Sequence, residues 1–146
     1  MEILHMKQCH VPAVAQLEKQ CFSDPWSEKS VGEELNNPLS LWLVAEEAGQ
    51  VLGYVGSQTV LGETDMMNVA VSPARRREGI AGKLISALVE ALRQQGSRCL
   101  TLEVRASNSP AICLYETLGF SQVGRRPNYY RNPREDALIL RKEWEL

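Results

Sequence analysis

From Thr64 to Val104 the chain reads as one strand, one helix and a second strand, and little else fits. "TDMMNVAV" is an apolar run that Pro73 stops. Ile80, Leu84, Ile85, Leu88, Val89 and Leu92 then recur at helical spacing until Gly96, where a left-handed residue ends the helix. "RCLTLEV" follows with strict alternation: Leu100, Leu102 and Val104 on one face, Thr101, Glu103 and Arg105 on the other. Two strands joined by a helix pair parallel, with a right-handed crossover. The rest of the fold must be arranged around that unit.

Upstream, "EILHM" predicts a short first strand. Pro12 suits a helix start, and Val11, Val14, Ala15, Leu17 and Cys21 give that helix its apolar stripe. "SDPWS" interrupts it, and Ser27 caps a second short helix ending near "NNP". "SLWLVAEE", "QVLGYVGSQTV" and "TDMMNVAV" are separated by "AGQ" and "LGE", which predicts an antiparallel meander. Downstream, Ser109-Pro110 opens a helix with Ala111, Leu114, Tyr115 and Leu118 on one face, and Gly119 closes it. Strands around "FSQVGR" and "EDALILRKEW" form a final antiparallel pair. The expected order is β-α-α-β-β-β-α-β-α-β-β. That is an α/β fold: a mixed, mostly antiparallel sheet with one parallel βαβ unit and helices on both faces. The 146 residues, without repeats or a linker, predict one domain over 1–146.

The stretch "SPARRREGIAGKL" sets Arg75, Arg76 and Arg77 just before a helix N-terminus. That end of a helix carries about half a positive charge and prefers anions. A solvated turn is one explanation. The other is an anion: Gly79 and Gly82 let a ligand approach the free amides, and arginines would add bidentate bonds to a phosphate. Two phosphate motifs fail here. "AGKL" lacks the Ser or Thr of a P-loop, and "GIAG" lacks the G-x-G-x-x-G of a dinucleotide site.

Arg76, Gly79 and Ala81 do make R-x-x-G-x-A, followed by Gly82. With "MNVAV" before it and a long helix after it, this resembles the acetyl-coenzyme A loop of the GCN5-related N-acetyltransferases, the GNAT family. The element order is that family's too. "LEVRASNSPAICLYETLGF", Leu102 to Phe120, and "NYY" resemble its ribosomal-protein-alanine N-acetyltransferases, the RimI type. Ala81 stands where the family more often has Gly.

The resemblance implies acetyl-coenzyme A (acetyl-CoA) as co-substrate and no metal. Main-chain amides from Val69, Ala70 and Val71 would hold the pantetheine arm and polarise the thioester carbonyl. Arg76, Arg77, Glu78, Gly79, Ile80, Ala81 and Gly82 would cradle the pyrophosphate, and Asn108 would contact the pantetheine amides. Glu103 matches the family's general base, acting through a water, and Tyr115 its general acid toward the thiolate. Trp26, Tyr129 and Tyr130 would line the acceptor groove. By spacing alone Glu103 is an exposed strand residue beside Arg105, Tyr115 a core tyrosine and Asn108 a helix cap. The acceptor implied is the N-terminal alanine of a small-subunit ribosomal protein, number eighteen in its series. A lysine side chain or a polyamine is the alternative acceptor. A non-catalytic acyl-CoA sensor and a nicotinamide enzyme are the rivals of another class.

A net charge of −2 argues against direct nucleic-acid binding. Cys9, Cys21, Cys99 and Cys113 form no C-x-x-C pair, and His5 and His10 match no catalytic position, so neither a zinc site nor a disulfide framework is expected. "MEILHMKQ" lacks an apolar leader and no run approaches a membrane span of about 18 residues. A cytoplasmic setting follows as an expectation.

Overall fold

The computed structural model describes all of residues 1–146. Seven strands form one sheet: β1 (Glu2–His5), β2 (Ser40–Glu47), β3 (Gln50–Val60), β4 (Glu63–Val71), β5 (Cys99–Arg105), β6 (Ser121–Tyr130) and β7 (Glu135–Glu143). The helices are α1 (Val11–Cys21), α2 (Glu28–Glu33), α3 (Ile80–Gln94) and α4 (Ser109–Thr117). The strand order is β1-β2-β3-β4-β5-β7-β6, antiparallel everywhere except between β4 and β5. The expected order of elements is the observed one. The placing of the last strand between β5 and β6 could not be read from local patterns.

One face of the sheet packs on α3, whose Ile80, Leu84, Ile85, Leu88 and Leu92 are almost wholly buried with Leu100, Leu102, Val104 and Tyr115. At about 1.5–3 kcal/mol per buried side chain, those five residues contribute about 10 kcal/mol. That far outweighs the few tenths of a kcal/mol, roughly, forgone because Gly79, the N-cap of α3, offers no capping side chain. Packing therefore holds α3 in place and leaves its first amides free. The stripe expected on α4 is shallower: Tyr115 alone is buried, and Ala111, Leu114 and Leu118 are half-exposed. The opposite face of the sheet carries α1 and α2 over Trp42, Val44, Tyr54 and Ala70. Ser27 caps α2 as expected, accepting from the Ser30 amide at 3.0 Å. His10 is buried and bonded through Nε2 to Glu46 at 3.0 Å, a structural histidine.

Two departures from regular pairing shape the molecule. Strands β4 and β5 pair only at Glu63–Cys99, Thr64–Leu100 and Asp65–Thr101, then run on apart to Val71 and Arg105. The closed end is pinned by hydroxyls, with Thr64 Oγ1 2.7 Å from both Thr59 Oγ1 and Ser97 Oγ. Beyond it lies a wedge-shaped gap in the middle of the sheet. On its β3 side, β4 carries a bulge: Ser57 pairs with Met66 and Gly56 with Asn68, leaving Met67 extra.

Candidate active site

The gap opens onto both faces of the sheet, and the expected site residues stand around it. On β4, the Ser72 amide donates to Leu52 O of β3 at 2.7 Å. Amides alternate in direction along a strand, so those of Val71 and Val69 point the other way, into the gap, and that of Ala70 points back to β3. Of the three main-chain donors expected, two therefore face the opening. Unpaired strand amides need a partner, and a ligand can supply it.

At the end of β4, a 3-10 turn over Pro73–Arg75 leads to α3. Arg75 is spoken for: its guanidinium bonds Glu78 at 2.9 Å and Glu47 at 2.8 Å. Those bonds to Arg75 hold both carboxyls below their ordinary range. Arg75, absent from the expected site, is the brace of the loop, and Glu78 is its partner. Arg76 and Arg77 are exposed and have no acidic partner; Arg76 Nη2 lies 3.5 Å from Cys21 Sγ. Arg77 and Gly79 are left-handed, at φ 68° and 78°, which turns the chain sharply into the helix. A Cβ at Gly79 would meet nothing within 4 Å, whereas one at Gly82 would touch Leu114 Cδ1 at 3.8 Å. Gly79 thus stands in open space and Gly82 faces α4. The Lys83 amide makes the bond to Gly79 O at 3.1 Å. The amides of Ile80, Ala81 and Gly82 come before it and have no helical partner. Two uncompensated cations and three free amides at one helix end are the donor set that an anion such as a phosphate calls for.

Glu103 projects from β5 on the face opposite α3, which α1 and α2 leave uncovered. Its carboxylate is half-buried, and Oε2 accepts no hydrogen bond although it is shut off from solvent. Arg105, its neighbour on the same face of β5, turns away to Glu135 at 3.3 Å. The nearest cation is Arg126, whose Nε lies 3.8 Å from Oε2. Tyr129 and Tyr130 complete the surroundings. A bulge in β6 brings them there: Arg126 pairs with Ala137 and Tyr130 with Glu135, so Pro127, Asn128 and Tyr129 stand opposite Asp136 alone. Asp136 clamps the bulge by accepting from the Asn128 amide and Arg125 Nε, both at 2.8 Å. Arg105 sits 4.5 Å over the Tyr130 ring and Arg126 5.4 Å over that of Tyr129. Burial and the Glu103 charge raise the Tyr130 hydroxyl to about 12 and raise Tyr129 as well.

Tyr115 approaches from the other face. It is buried against Phe120, rings 5.7 Å apart, and burial alone raises its hydroxyl to about 12. Asn108 caps α4 through Oδ1, accepting from the Ala111 amide at 3.4 Å, which leaves its Nδ2 for another acceptor. Trp26 belongs to the α1–α2 loop, on the Glu103 side, with its ring 5.4 Å from Trp42. Sequence reasoning missed Arg126, because nothing local reveals which strand it faces.

A carboxylate and a phenol on opposite faces, with free amides between them, suit group transfer through the gap. Residues 11–120 match the sequence model of the acetyltransferase (GNAT) family. The chain belongs to the GNAT family. It is an acetyltransferase, and the family uses acetyl-CoA. The [ribosomal protein bS18]-alanine N-acetyltransferase of Escherichia coli K12 is 35% identical over 140 residues, covering 94% of each chain. A crystal structure of the E. coli ribosomal-protein-S18-alanine N-acetyltransferase superposes with a TM-score of 0.91 at 34% identity, over 99% of this chain and 94% of that one. The NatC complex bound to Gag peptide and CoA shares the fold at a TM-score of 0.82 and 24% identity, over 99% of this chain and 100% of that one.

Arg76→Ala and Arg77→Ala follow from the anion site as a pair of tests. At least one weakens acetyl-CoA binding about tenfold, the worth of a partly exposed charged hydrogen bond. The loss grows as salt is lowered, because screening fades. Calorimetry at two salt concentrations reads it; unchanged affinity in both variants would remove the arginines from the site.

Proposed function

We propose that the chain transfers the acetyl group of acetyl-CoA to the N-terminal α-amine of a protein, the N-terminal alanine of ribosomal protein bS18. The observation that carries this is its 35% identity with the E. coli bS18-alanine N-acetyltransferase along 94% of both chains. In this reading Val69 and Val71 donate to the pantetheine arm and the thioester carbonyl, with Asn108 Nδ2 on the arm. The loop from Arg76 to Gly82 binds the pyrophosphate. Glu103 takes the amine proton through a water, Tyr115 donates toward the thiolate, and Trp26, Tyr129 and Tyr130 line the acceptor side. The setting is the cytoplasm. No helix is long and apolar enough to cross a membrane, and all four cysteines are free.

The chemistry of the base supports an α-amine. An α-amino group has a pKa of about 7.7–8.0 and a lysine about 10.4. Near pH 7.5 about a third of α-amines are already neutral, against about a thousandth of lysines. One carboxylate suffices for the first, and Glu103 of β5 supplies it. A small first residue also lets the nitrogen reach the thioester between the strands. A displacement of about 1 Å can cost a hundredfold.

Three acceptors test the assignment: an Ala-start peptide of the bS18 sequence, the same peptide with its α-amine blocked and a lysine present, and a polyamine. The Ala-start peptide has the highest kcat/KM by at least about a hundredfold. A higher value for either other acceptor replaces the α-amine with a side-chain or polyamine nitrogen.

A further inference from the structure

Glu18 is wholly buried on α1, among residues that are otherwise apolar. A buried carboxylate is costly unless it is paired or saturated with hydrogen bonds, and an apolar residue of the same size would often serve a core better. No cation pairs with it. Instead three donors converge: the Trp26 amide on Oε1 at 2.8 Å, Asn68 Nδ2 on Oε2 at 2.9 Å, and the Tyr54 hydroxyl on Oε2. They come from three different places: the α1–α2 loop, the bulged part of β4, and the middle of β3.

This pattern adds hydrogen bonds between two parts of the site that otherwise meet through side-chain packing and the Cys21 thiol, 3.8 Å from Val71 O. β4 is already fixed to β3 by the ladder. The segment between α1 and α2 has no ladder. The Trp26 ring lies on Trp42, which stacks on Tyr54 at 5.8 Å, so ring and amide of Trp26 both lead back to Tyr54. Asn68 is the residue just after the bulge and just before Val69, whose amide faces the gap. Glu18 thus holds the loop at a set height over the strand that lines the gap.

We propose that Glu18 is a positioning residue: it anchors the α1–α2 loop, through Trp26, to the bulge of β4 and so sets the acceptor side of the cleft. The proposal rests on the acceptor reading above, in which Trp26 lines that side. The carboxylate touches neither substrate and takes no part in proton transfer. It supplies four lone-pair positions where the loop, β3 and β4 each bring a donor.

The test uses the whole chain, hydrogen exchange and steady-state kinetics with an Ala-start peptide, well below the Tm of each variant. In the wild type the Trp26 amide exchanges as slowly as interior strand amides, because its acceptor is buried; fast exchange there overturns the proposal before any variant is made. Glu18→Gln leaves one oxygen for three donors; that oxygen stays with the pair Asn68 Nδ2 and Tyr54 hydroxyl, and the NH2 is set against the Trp26 amide, which loses its acceptor. Exchange at residues 22–27 and the peptide KM each rise about tenfold or more, the effect of one unpaired buried donor. At saturating peptide kcat stays within about threefold, as does the acetyl-CoA Kd. Adding Asn68→Asp lets the new amide turn round and donate to a carboxylate, and KM returns toward the wild-type value. A lowered Tm with unchanged KM and unchanged loop exchange would reduce Glu18 to a fold-stabilising role. The exchange arm needs no acceptor. Failure of the wild type to acetylate the peptide would therefore sink the acceptor reading and leave the loop anchor to be judged by exchange.

Discussion

Glu103→Gln lowers kcat by about 10²–10⁴, the usual worth of a positioned base, and leaves acetyl-CoA affinity within about threefold. The substitution keeps the shape of the side chain and its place on β5. It removes the acceptor from Oε2, the buried oxygen that has no hydrogen-bond partner in the structure. An amine with its proton still attached cannot attack a thioester, so the variant depends on the fraction of acceptor already neutral. Its residual rate therefore climbs with pH toward the α-amine pKa of about 7.7–8.0 and levels off above it. Tyr129 and Tyr130 do not confuse that profile. Burial, the larger cause and one that the substitution leaves in place, pushes both hydroxyls up, so they stay protonated across the range without the Glu103 charge. A stopped assay from pH 6 to 9.5 reads the effect. Full activity at neutral pH would remove Glu103 from the mechanism.

Much of this geometry is written in local patterns. The meander is legible because "AGQ" and "LGE" are centred on the glycines whose φ values are 79° and 80°, at Gly49 and Gly62. α3 is legible from six residues at helical spacing; five are in the core, and Val89 packs against it half-buried. The alternation in "CLTLEVR" correctly set Glu103 apart from Leu102 and Val104. What was not legible depends on partners far away in sequence. The wedge exists because β5 leaves β4 after Thr101 and keeps to β7, whose paired residues lie 32 to 44 positions later. Tyr129 and Tyr130 reach Glu103 through a bulge that Asp136 holds, and no turn signal marks it. Glu18 was nearer to being readable. It follows Val14 by four residues and Leu17 by one, so it shares the helix face that is buried; a charge in such a stripe is itself a signal. The arginine run divides for a similar reason. Glu47 and Glu78 neutralise Arg75, and only the fold brings Glu47 there.

Tyr115→Phe lowers kcat by about 10²-fold or more, and raising the pH does not rescue it. Burial holds the hydroxyl at about 12, so the phenol is protonated at every workable pH, but it is a poorer acid than in water. Complete transfer of its proton to a thiolate of pKa about 8.5 would be uphill by about 5 kcal/mol. A hydrogen bond that strengthens as charge gathers on sulfur meets the need without that cost, and it acts in the transition state more than in the ground state. Tyr115 is suited to this. It lies on the α3 face, across the gap from Glu103, and its raised hydroxyl owes nothing to a neighbouring charge or hydrogen bond. The phenylalanine keeps the ring against Phe120 and removes one oxygen, so fold stability changes little. The two variants are then told apart by their profiles: Glu103→Gln recovers as the amine deprotonates, and Tyr115→Phe stays depressed in parallel with the wild type. A leaving group of lower pKa narrows the gap further, because a more stable thiolate has less need of a donor. If Tyr115→Phe gains activity with pH as Glu103→Gln does, the hydroxyl acts on the amine side of the gap and its assignment to the thiolate is wrong.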